Sequence, residues 1–169
     1  MSQPGGILAL DLATRTGWAY GLPGTKPIGG AWELPPAASL GRKLASFENQ
    51  LWDALALHQP RLLMLAASFT QGKAISGAEL LLGLSAHVES SCYRHDVEVR
   101  KQAESTIRKH VLGHGASLGG REACKARAMA WCAEQGYRTV DDNHADALVV
   151  WHYACDTVGG RFGVARAAA

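Results

Sequence analysis

The sequence predicts an α/β fold with a mixed sheet. Three features point that way: a run of short apolar segments near the start separated by tight turns, a helix–strand–helix alternation after them, and a closing series of helices. Antiparallel hairpins followed by a helix and a buried strand require strands of both directions, because a parallel neighbour needs a crossover connection.

Ile7 to Leu12 is an apolar run that includes one acid, and Thr16 to Tyr20 follows the turn-like Ala13-Thr14-Arg15, so the pair reads as a hairpin. After the Gly/Pro-rich 21–27, Ile28 to Leu34 supplies a third antiparallel strand that Pro35-Pro36 ends. From Ser39, Leu40, Leu44, Phe47, Leu51 and Leu55 recur every three or four residues, the spacing of an amphipathic helix ending near His58-Gln59-Pro60. Leu62 to Ala67 reads as a buried strand, Ala78 to Tyr93 as a second helix, and Val97 to Val99 as a short strand. Helical segments then cover Ser105 to Val111, Glu122 to Gln135 and Asn143 to Ala154. The expectation is a single domain over residues 1–157 with a flexible tail over 158–169, where Gly, Arg and Ala dominate.

The chain has 169 residues, 47% apolar and 19% charged, enough to bury a core without disulfides or a structural metal. No run approaches the roughly 18 to 20 apolar residues that span a bilayer, and the first residues lack a signal-peptide pattern, so a cytoplasmic protein with no membrane partner is expected. Cys92, Cys124, Cys132 and Cys155 are scattered without a CxxC pair and read as buried free thiols. Trp18, Trp52, Trp131 and Trp151 fall on apolar strand or helix positions and read as core. Net charge is only +2, but Arg100 to Arg127 carries seven Lys or Arg against Glu104 and Glu122, a surplus that suits a polyanion surface or solvated helix faces.

Two acidic positions carry the candidate chemistry. Asp11 ends an apolar strand, where an unpaired charge is costly and a cation is the natural partner; capping of the following turn is the competing role. Asp141-Asp142-Asn143-His144-Ala145-Asp146 leads into an apolar helix, and the helical repeat lets Asp142, Asn143 and Asp146 face one site. Helix capping accounts for Asp142 or Asn143, but less well for Asp146, a turn further in. Oxygen donors without cysteine suit Mg²⁺ or Mn²⁺, and two such ions roughly 4 Å apart are a standard arrangement for phosphodiester hydrolysis.

The chain resembles the RuvC-type Holliday-junction resolvases, in particular the compact versions of bacteriophages. The resemblance rests on Ile7-Leu8-Ala9-Leu10-Asp11 with Thr16-Gly17-Trp18-Ala19, on Ser105-Thr106-Ile107-Arg108-Lys109-His110-Val111-Leu112-Gly113, and on Asp141 to Leu148, and it runs from about residue 6 to 156. It implies an RNase H-like fold, a five-stranded mixed sheet flanked by helices, and a homodimer that binds and symmetrically cuts four-way or branched DNA with two Mg²⁺ ions per site, Mn²⁺ substituting. The family holds its metals with an Asp on the first strand, a Glu at the end of the fourth and two acidic or equivalent residues on the last helix. Asp11 and Asp146 match by position; Asn143 or Asp142, with His144 as a third choice, supplies the other helical ligand. Ala66 stands where the Glu is expected, and Glu79, well inside the next helix, is a poor substitute.

That departure implies severely reduced cleavage, arising either by deliberate inactivation or in a natural lineage that kept DNA binding. The resemblance also implies DNA contacts from Phe69 and Lys73 on the loop after the fourth strand, from Arg108 and Lys109, and from Arg121, Lys125 and Arg127. It makes the helix from Ala78 to Tyr93 the dimer contact. Three alternatives stay open: a YqgF-like or other RNase H-like nuclease acting on RNA or flaps, a non-catalytic junction-binding protein, and an actin-like or sugar-kinase ATPase, suggested by Asp11 to Gly17.

Overall fold

The computed structural model describes residues 5–67, 74–113 and 119–162. Five strands, β1 (Ile7–Asp11), β2 (Arg15–Gly21), β3 (Ile28–Glu33), β4 (Leu62–Ala67) and β5 (Glu98–Ala103), form one sheet in the order β3-β2-β1-β4-β5. The β1–β2 and β2–β3 pairs are antiparallel, while β1–β4 and β4–β5 are parallel. The parallel pairs are reached through α1 (Leu40–His58) and α2 (Ile75–Arg94), and α3 (Glu104–Leu112), α4 (Gly120–Glu134) and α5 (Asp142–Val158) follow. This is the mixed sheet that the sequence predicts.

Strand alternation divides the interior into two cores. Ile7, Ala9, Leu62, Met64 and Ala66 face α5 with its buried Leu148, Trp151 and Ala154. Leu8, Leu10, Leu63 and Leu65 face the other way, onto Phe47, Leu51 and Leu55 of α1 and Leu84 and Val88 of α2. Ser39 caps α1 by accepting from the Arg42 N–H, as a serine before an apolar helical run should. α5 is apolar around most of its girth because the sheet lies beneath it and α3 and α4 lie beside it; Trp151, wholly enclosed, donates its indole N–H to the Gly21 carbonyl at 3.3 Å.

Three expectations need correcting. β5 is six residues long rather than three, since Glu98, Arg100 and Lys101 on an edge strand hide the apolar alternation that marks an inner one. α2 begins at Ile75, ahead of the first clear apolar repeat. Of the four tryptophans read as core, only Trp151 is enclosed: Trp18 and Trp131 are half-buried, and Trp52 is 39% exposed, with its N–H donated to the Ser91 hydroxyl at 2.9 Å between α1 and α2. The cysteines are free, three of them buried and Cys155 half-buried. Among the described residues no helix is long and apolar enough to cross a membrane. α5 ends in a short 3₁₀ turn, Gly159–Phe162, with Gly159 lying close to Pro23.

Candidate active site

Asp11 closes β1, and the parallel register pairs Leu10 with Leu65, so the next position along puts Asp11 beside Ala66. Both follow the alternation that sends Ile7, Ala9, Leu62 and Met64 toward α5, and so both face the same helix. The Gly17 partner of Asp11 on β2 lets α5 press onto the sheet: a Cβ at Gly17 would lie 1.8 Å from the Asn143 carbonyl oxygen. Gly29 plays the same part beneath His144, whose Nε2 would be 2.5 Å from an added Cβ. Two glycines thus seat the first turn of α5 against the end of β1 that carries Asp11.

The α5 cap is Asp141, not Asp142 or Asn143 as the sequence pattern suggests. Its carboxylate accepts from the His144 N–H at 2.8 Å and is clasped by the Arg15 side chain. The three acids in the run make the cap ambiguous by residue type, and the Arg15 partner resolves it. Asp146, a full turn inside, is left to face the sheet.

Electrostatically the centre is strained. Lost hydration, followed by repulsion from Asp146 and Glu104, holds the Asp11 carboxyl well above the usual carboxylate range, with Arg108 pulling the other way. Burial pushes Asp146 up to about 6 against the pull of Arg108, and Glu104 and Asp142 add to the rise. Among the described residues no hydrogen bond or ion pair reaches the Asp11 carboxylate. Arg108, 11% exposed, is in direct contact with Asp146: its Nη2 lies 3.3 Å from Asp146 and 2.5 Å from Glu104. Asp142 instead pairs with Lys125 at 2.5 Å, and that hydrogen bond lowers its pKa.

The donor set is oxygen-only and carries more negative than positive charge, which suits a hard divalent ion. That the centre already accepts a guanidinium is direct evidence that it welcomes positive charge. Asp11 and Asp146 would hold such an ion. As placed, no three His, Cys, Asp or Glu side chains among the described residues stand close enough to share one.

The other candidates fare differently. Asn143 is half-buried and meets the sheet through its backbone carbonyl on Gly17. His144, the third-choice ligand, is turned away: buried against β3, it accepts from the Val140 N–H on Nδ1 at 3.2 Å, and burial lowers its pKa. Arg108 is engaged with carboxylates rather than open to a phosphate, because α3 lays it along the acidic centre. Lys109, Arg121 and Arg127 are exposed, and Lys125 is tied to Asp142. Phe69 and Lys73 lie outside the described residues. Glu79 is exposed on α2, and Ala66 is 3% exposed in the core under α5. Sequence reasoning missed Glu104, which it counted only as an acid in a basic stretch. Its signal was its place, directly after a strand and opening a helix.

Solved structures share this fold over nearly the whole chain. Thermus thermophilus RuvC superimposes with a TM-score of 0.67 at 16% identity, covering 94% of this chain and 96% of that one. The chain has the RuvC fold. RuvC of the same organism in complex with a Holliday junction substrate gives 0.68 at 12% identity, covering 91% and 97%. The yeast mitochondrial Holliday junction resolvase gives 0.54 at 11%, covering 93% and 82%. No protein-family model and no curated protein sequence matches the chain. At the end of β4, beside Asp11, stands Ala66.

Proposed function

We propose that this chain is a RuvC-like, metal-dependent endodeoxyribonuclease that binds four-way DNA as a homodimer and, with Ala66 in place of a metal-binding Glu, cuts it poorly. The observation that carries the reading is that Asp11 and residue 66 end neighbouring strands on the sheet face that α5 covers, with Asp146 on α5 beside Asp11. Bound Mg²⁺ would supply a polarised water and stabilise the leaving oxyanion.

The remaining work falls to the chain itself. Asp11 and Asp146 present acceptor oxygens from a strand end and a helix, two rigid elements that Gly17 and Gly29 hold in register. Asp142, now paired with Lys125, or the neighbouring Asn143 is proposed as the further ligand from the first turn of α5. Ala66 adds neither charge nor ligand at the position next to Asp11, and loss of positioning together with loss of charge stabilisation costs orders of magnitude in rate. Lys109, Arg121 and Arg127 offer charge to a DNA backbone, contacts that give affinity without sequence readout, so junction preference must come from shape. α2 exposes Ile75, Leu82 and Tyr93, the last 88% exposed, and is the face proposed to pair two copies so that two centres address symmetry-related strands.

Competition binding tests the reading. A labelled four-way junction is displaced by unlabelled four-way, Y-shaped and linear duplexes of equal length in Mg²⁺. The expected order has the four-way junction strongest by at least tenfold, whereas equal competition by linear duplex, or preference for RNA or a flap, sinks the junction assignment.

A further inference from the structure

We propose that Arg15, the first residue of β2, is a positioning residue for the site: by gripping the Asp141 cap it fixes the first turn of α5 over the end of β1 and so holds Asp146 in place beside Asp11. The inference rests on the nuclease reading above and gives a part in it to a residue that contributes no acceptor oxygen.

The local sequence puts Arg15 within reach of both halves of the site. It lies four residues after Asp11, across a turn that Thr16 pins by donating its hydroxyl to the Ala13 carbonyl at 2.9 Å. Thr16 is wholly buried, so the turn between Asp11 and Arg15 is anchored rather than loose. Alternation along β2 gives Arg15 the parity of Gly17 and Ala19, and Ala19 lies in the core under α5. Arg15 therefore faces α5, where it meets Asp141 just as Gly17 meets Asn143 two positions further on.

Those two contacts do different things. The close backbone approach at Gly17 sets how near α5 comes to the sheet, but a single contact leaves the helix free to pivot about it. Arg15, two residues or about 7 Å away along the strand, supplies the second point. Its Nε donates to one oxygen of the Asp141 carboxylate, and the other oxygen accepts the His144 N–H at 2.8 Å, so one acid both caps the helix and ties it to β2. Nη1 of Arg15 reaches Glu33, its direct partner on β3, at 3.1 Å. A guanidinium held from two sides has a fixed direction, which a lysine ammonium cannot reproduce. Asp146 sits five residues beyond the cap, and a pivot of the first turn would shift it relative to Asp11. Because the Arg15 side chain is 43% exposed, its ion pairs add little to global stability, and their effect is on position.

Single-turnover junction cleavage in the Ala66→Glu background, read beside junction affinity, tests the inference. Arg15→Ala should slow the saturating rate at least tenfold while affinity stays within about twofold, since misplacement at a reacting centre lowers rate rather than binding. Arg15→Lys should not recover the rate. Asp141→Asn, which keeps a cap acceptor but loses the charged bond, should slow cleavage equally, and the double variant should be no slower than either. Weaker affinity with a shallower salt dependence, relieved by Arg15→Lys, would make Arg15 a phosphate contact and overturn the inference, as would additive losses or an unchanged rate. Amide hydrogen exchange at His144 needs no cleavage: it should quicken at least tenfold in Arg15→Ala with the circular dichroism spectrum unchanged, and unaltered exchange overturns the inference even if nothing cuts. Quickened exchange, in a chain whose Ala66→Glu variant binds junctions without cutting, sinks the nuclease reading alone.

Discussion

Replacing Gly17 by alanine should damage the fold and the centre together. The added Cβ would lie 1.8 Å from the Asn143 carbonyl oxygen and 2.3 Å from its carbon, both backbone atoms that cannot rotate aside. To restore even a tight 3.0 Å contact, the start of α5 must retreat by about 1.2 Å from β2. Forced overpacking of this kind costs about 1–3 kcal/mol, and a backbone-on-backbone clash belongs at the upper end. Asp146 rides on the displaced turn while Asp11 stays on β1, and a misplacement of about 1 Å at a reacting centre costs roughly a hundredfold in rate. Urea unfolding reads the first effect, expected at about 3 kcal/mol. Junction cleavage in an Ala66→Glu background reads the second. A Gly17→Ala protein as stable as its parent, with cleavage intact, would refute the claim that this glycine seats α5.

Two further outcomes follow from charge. The Asp146 pKa is raised to about 6, so between its ordinary value and 6 the folded protein holds the proton more tightly than the unfolded chain. Its stabilising contribution is complete below pH 3.8 and is lost as pH rises through 6, by about 3 kcal/mol for a two-unit shift, with Asp11 adding in the same direction. Denaturation without metal should show stability falling from pH 4 toward 7.5 and a flatter profile for Asp146→Asn; a profile that rises over this window would contradict the assignment. Mg²⁺ should restore part of the loss at pH 7.5, since an ion that binds only the folded chain stabilises it. For DNA, Lys109→Ala and Arg121→Ala should each reduce the slope of log affinity against log salt by about one while leaving junction preference unchanged. A slope unaffected by both would remove these side chains from the interface.

Much of the fold was legible in the sequence because its strands and helices carry clear periods. Ile7 to Leu10 and Leu62 to Leu65 are continuous apolar runs because both faces of those strands are covered, and Phe47, Leu51 and Leu55 mark the buried stripe of α1. β5 was cut short for the opposite reason, since an edge strand bearing Glu98, Arg100 and Lys101 carries no apolar alternation. At the site, Asp11 and Asp146 were found because a charge in an apolar context is conspicuous. The cap was misassigned because Asp141, Asp142 and Asn143 are equally suitable by residue type, and only the Arg15 partner, far away in sequence, decides among them. Glu104 carried only the weak signal of its place after a strand, and the partial burial of Arg108 against Asp146 joins α3 to α5 across a separation in sequence that no local pattern encodes.

We propose that Ala66 stands where this RuvC fold would need a carboxylate beside Asp11. The direct measurement is cleavage of a mobile four-way junction in Mg²⁺ and in Mn²⁺ by this chain and by its Ala66→Glu variant, at matched junction binding. Both should bind, and the variant should cut at least a hundredfold faster, with paired nicks in symmetry-related strands. A variant that binds junctions and still fails to cut, or a parent that cuts as fast as the variant, would contradict the proposed loss of a ligand at position 66.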